Sequence, residues 1–125
     1  MDGNHFKTGL QLRSLIRDDG ELELSLGAME VPSAQADEVV VWVEASPINP
    51  SDIGLMFAVV DMNTARQAGM SAAPVVTARI PKERMGAVAG RVGRPMITGN
   101  EGAGVVVEAG SSAEVQALLG RTVAL

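Results

Sequence analysis

Apolar and polar positions alternate with a period of two along much of this chain, and glycines, prolines and short polar turns punctuate the runs. Glu21-Leu22-Glu23-Leu24-Ser25-Leu26 alternates residue by residue, which sends Leu22, Leu24 and Leu26 to one side of an extended chain. An apolar run with polar interruptions, Leu10 to Ile16, precedes it across Arg17-Asp18-Asp19-Gly20, and Asp-Gly between two such runs predicts a hairpin with one wet face. After a loop at Val31 to Ala36, the stretch Asp37 to Ala45 centres on Val39-Val40-Val41-Trp42-Val43. That pattern predicts a strand buried on both faces in its middle.

Ser46-Pro47-Ile48-Asn49-Pro50 cannot continue a strand, and Pro50 is suited to the first turn of a short helix through about Phe57. Asp61 reads as the N-cap of a second short helix over Met62 to Gly69. Met70 to Ile80 reads as a loop with a short strand at Val75-Val76-Thr77. Pro81 opens a further helix in which Met85, Val88, Ala89 and Val92 keep helical spacing, and Gly93 stops it. Gly86 and Gly90 weaken that helix.

The stretch Thr98-Gly99-Asn100-Glu101-Gly102-Ala103-Gly104 leads into Val105-Val106-Val107, a β-branched run that predicts a buried strand. Its glycines let the backbone bend, or approach something that a Cβ would exclude. A glycine cradle for phosphate needs a helix after the loop, whereas a strand follows here, so that chemistry is set aside. Ser111-Ser112-Ala113-Glu114 fits a capping box, Val115, Leu118 and Leu119 supply an apolar side, and Gly120 ends the helix. Arg121 to Leu125 is a final strand. The sum is a mainly β domain with short helices in its connections.

Composition narrows the function. A chain of 125 residues forms one domain with a core of its own. No cysteine is present, which excludes disulfides and thiolate metal sites and fits a cytoplasmic protein. Ten basic residues, scattered in a chain of net charge −5, argue against nucleic acid. No apolar run reaches the roughly 18 residues of a membrane span, and the N-terminus lacks the layout of a signal peptide. His5, the one histidine, lies in a polar tail without a metal-binding companion. Ending on the apolar Arg121 to Leu125 suggests a piece of a longer protein.

Two motifs carry a family likeness. The first is Val43-Glu44-Ala45-Ser46-Pro47-Ile48-Asn49-Pro50-Ser51-Asp52. The second is Pro95-Met96-Ile97-Thr98-Gly99-Asn100-Glu101-Gly102-Ala103-Gly104-Val105-Val106-Val107, closed by Gly120-Arg121-Thr122-Val123-Ala124. In this order they resemble the N-terminal GroES-like domain of medium-chain dehydrogenases/reductases, nearest the zinc-independent quinone oxidoreductases and enoyl reductases. The resemblance runs from about Leu10 onward and implies a partly open β-barrel that forms one wall of an active-site cleft. A Rossmann domain that binds NADP(H) would form the other wall, and it is absent from this chain.

Where zinc alcohol dehydrogenases of this fold carry Cys and His, this chain has Asn49 and Asn100, and amides are poor zinc ligands. No zinc is therefore expected. Gly54 stands where one relative's tyrosine would stand, and the chain has no tyrosine, so a tyrosine acid is not available and the catalytic group is unassigned.

The resemblance places Asn49, Asn100, Ser46 and Met56 near substrate and cofactor. Asn49 would bond a substrate carbonyl or the nicotinamide carboxamide; the alternative is a turn residue bonding its own backbone. Met56 would line an apolar pocket or fill a gap in the core. Asp52 and Glu101 are expected to brace their loops. The expected function is hydride transfer from NADP(H) to a small quinone or α,β-unsaturated carbonyl. The fragment alone would be inactive, and its exposed cleft wall would favour a homo-oligomer. The alternative is a free-standing GroES-like module used for association, not catalysis.

Overall fold

The computed structural model describes residues 8–125; His5 lies outside them. The chain is mainly β. The first hairpin forms as the alternation requires, with β1 (Thr8–Ile16) and β2 (Glu21–Glu30) joined by a turn. The Arg17 N–H donates to Glu21 O at 2.8 Å, and Gly20 turns with φ +85°. β3 (Val39–Ala45) leads to α1 (Pro50–Phe57), which spans the residues that the proline signal marked. β4 (Asp61–Met70), β5 (Ala73–Arg79), a 3-10 segment (Lys82–Arg91), β6 (Met96–Ile97), β7 (Ala103–Ala109), α2 (Ala113–Gln116) and β8 (Thr122–Ala124) complete the chain.

The strands form two open sheets, ordered β4-β5-β2-β1-β6 and β3-β7-β8. Neither sheet closes on itself into a barrel. Two compact units result. One comprises Met29–Pro47 and Asn100–Leu125 with the described residues up to Gly9; the other comprises Leu10–Ala28 and Ile48–Gly99. No helix among the described residues is long and apolar enough to cross a membrane.

The second unit holds the larger core, Ile16, Leu22, Leu24, Met56, Val60, Ala78, Ile80 and Val88. The register Leu22↔Ala78 and Leu24↔Val76 puts these side chains on one face of the five-stranded sheet. Burial fades along that face. Leu22 is 2% exposed and Leu24 7%, but Leu26, expected in the core with them, is 38% exposed, as is Val76 at 37%. Met56, Val60 and Val88 pack in one cluster with Leu22 and Leu24.

Several expectations are corrected. Met62 to Gly69 is strand, not helix. Its sequence has no apolar helical stripe, and Asp61 caps a different turn: its Oδ1 accepts from the N–H of Asn63 at 3.0 Å and from Asn63 Nδ2 at 3.1 Å. The register then slips between Asp61↔Arg79 and Arg66↔Thr77. Thr64 fills the slip, donating its hydroxyl to Asp61 O at 2.6 Å and accepting the Arg79 N–H at 2.8 Å. The partner strand, foreseen only at residues 75–77, extends over Ala73–Arg79.

The helix after Pro81 is 3-10. Side chains three apart eclipse in that geometry, so Met85, Val88 and Arg91 share the inner face while Ala89 is exposed. β3 is not buried on both faces. It is the outer strand of its sheet, and Trp42 is 54% exposed.

α2 starts one residue later than the capping-box pattern indicates. Its N-cap is Ser112, without a side-chain capping bond. The Gly110 N–H donates to Glu38 O and the Ser112 N–H to Ala36 O, at 2.8 and 2.9 Å, which holds the approach to the helix extended. The strand expected at Val105 to Val107 does form. β7 is the central strand of its sheet, with Val106 1% exposed and Val105 and Val107 half-buried.

Candidate functional site

The residues singled out by the two motifs fall into two groups, one in each compact unit. In the first unit, β3 and β7 run antiparallel with Val43 opposite Gly104 and Ala45 opposite Ala103. Ser46 leaves β3 at the end where Gly102 joins β7. The third strand finishes there too, because the Leu125 N–H donates to Gly102 O at 2.8 Å. One end of this sheet therefore gathers Ser46, Asn100, Glu101 and Gly102, and Ser46, Asn100 and Glu101 are exposed. Exposed apolar side chains, Val43 and Leu125, lie at the same end. A hydroxyl, an amide and a carboxylate are thus available to solvent beside apolar surface.

The pairing depends on glycine at one position. A Cβ on Gly104 would overlap the carbonyl oxygen of Trp42, so only hydrogen fits where β7 runs beside β3. Gly102 is less constrained, since a Cβ there would meet Ala45 O at 3.4 Å and Val43 Cγ1 at 3.5 Å. Gly110 is held like Gly104, against the carbonyl of Gln35. The loop facing Gly110 is braced by Glu108, whose Oε1 accepts the Ala34 N–H at 2.8 Å. Sequence reasoning missed that carboxylate, which follows the Val105-Val106-Val107 run and whose partner, Ala34, lies 74 residues away.

In the second unit, Asn49 is the N-cap of α1, with extended backbone at φ −89° and ψ 155°. Asp52 occupies the third helical position, and its Oδ2 accepts the Asn49 N–H at 2.9 Å, one arm of a capping box. The Asn49 carbonyl takes the N–H groups of Asp52 and Ile53 at 3.0 and 3.2 Å. Asn49 and Asp52 are half-buried, between the exposed side chains of Ile48 and Ile53. Met56, for which pocket lining and core filling are the two sequence readings, lies in the core at 8% exposure, on the inner side of α1. Arg91 holds the far end of that helix. Its Nη1 donates to Leu55 O and its Nη2 to the fully buried Ser14 Oγ, each at 3.0 Å.

The second unit also has an open cleft of about 460 Å³, and none of the motif residues line it. Asp18, Asp19, Asp61, Thr64, Arg79 and Lys82 supply its polar wall. Asp19 is engaged by the Glu21 N–H at 3.0 Å, and Asp61 by Asn63. Beside the cleft, a hydrogen bond from Arg17 to Glu23, reinforced by their charges, pushes the Arg17 pKa above its ordinary value. No signal in the sequence pointed to this cleft, because the segment contributing Thr64 read as helix. Among the described residues, no three of His, Cys, Asp and Glu gather as a metal-binding group.

The chain matches no family model and no curated protein.

Proposed function

We propose that this chain is the GroES-like, substrate-cleft part of a zinc-independent, NADP(H)-dependent oxidoreductase acting on a quinone or an α,β-unsaturated carbonyl in the cytoplasm. The observation that carries the reading is the meeting of its two motifs on one pair of strands. The first motif leaves β3 at Ser46, the second joins β7 at Gly102, and Ala45 lies opposite Ala103. On this reading NADP(H) supplies the hydride and is held mainly by a Rossmann domain of the parent protein. In this chain Ser46 and Asn100, at one end of the β3–β7 sheet, orient the acceptor beside apolar surface that excludes water, and the resemblance gives Asn49, at the start of α1, a contact of its own with substrate or cofactor. Asp52 holds the backbone of Asn49 and has no chemical step of its own.

The test uses the intact parent protein with NADPH and, in turn, a simple benzoquinone and a conjugated enone. NADPH consumption with either acceptor supports the reading; none with both overturns it. Calorimetry on the isolated 125-residue chain separates the roles of the two domains. Tight NADPH binding by this chain alone would contradict the assignment of the cofactor to the other domain.

A further inference from the structure

We draw no further inference here: the strongest candidate, the apolar overhang of the five-stranded sheet at Leu10, Leu26 and Val76, continues the buried core face into solvent, and nothing in the structure shows what covers it.

Discussion

Gly104 of β7 lies so close to Trp42 of β3 that a methyl group on it would overlap the Trp42 carbonyl oxygen. The contact is with backbone on both sides, so no rotamer change can relieve it, and an added carbon must push the strands apart. Gly104→Ala should therefore cost about 2 kcal/mol or more. Gly54, inside α1, has open space around its would-be Cβ. Gly54→Ala should gain about 0.5–1 kcal/mol through helix propensity alone. Urea unfolding followed by the fluorescence of Trp42, the single tryptophan, reads both; equal effects would show that the strand contact is not tight.

The fading burial along the five-stranded sheet separates residues that the alternation treats alike. Leu24 is 7% exposed and Leu26 is 38% exposed. Leu24→Ala should cost about 2–5 kcal/mol, and Leu26→Ala under about 1 kcal/mol. Thermal unfolding of the two variants distinguishes them, and similar losses would mean that Leu26 is covered in solution.

Thr64 replaces a missing rung of the β4–β5 ladder by taking the Arg79 N–H. Thr64→Val keeps the shape and removes the acceptor, so it should cost about 1–2 kcal/mol. Thr64→Ser retains the hydroxyl and should cost less. Hydrogen exchange at the Arg79 amide provides the direct readout: faster exchange in the valine variant alone is the expected result.

Arg91 ties α1 to β1 through Leu55 O and Ser14 Oγ. Arg91→Met keeps much of the apolar stem and leaves the buried Ser14 hydroxyl without this donor, at a cost of about 1–3 kcal/mol. The double variant Ser14→Ala/Arg91→Met should lose less than the sum of the two single changes. Additive losses would rule out the coupling.

Asn49 and Asp52 share the start of α1 but differ under the proposed function. Asp52→Ala removes the acceptor of the Asn49 N–H and should cost about 1 kcal/mol of stability. Asn49→Ala in the intact parent should lower turnover more than tenfold, with circular dichroism unchanged. Unchanged kinetics would leave Asn49 with no role beyond the start of α1.

Local patterns in the sequence carried a large part of this fold. The Asp-Gly turn between β1 and β2, the Pro50 start of α1 and the β-branched run of β7 each depend on neighbours a few residues away, and each forms where expected. Ser46 and Asn100 are named through the family resemblance, and that they lie at one end of a sheet follows from the long-range β3–β7 pairing. Which sides of those elements are covered is set by distant partners. Trp42 and Val43 look like core, yet they lie on an outer strand. Met56 could line a pocket or fill the core, and packing across the sheet decides for the core. Asp61 is a good helix cap, but across the sheet Arg79 presents an N–H that Thr64 accepts when the segment is a strand. Sequence by itself determined where the chain extends and turns, because steric preference and hydrogen bonding to near neighbours act within a few residues. Only the tertiary structure decided register, burial and the placing of Gly104 against Trp42, because those depend on groups that the chain brings together from more than a dozen residues apart.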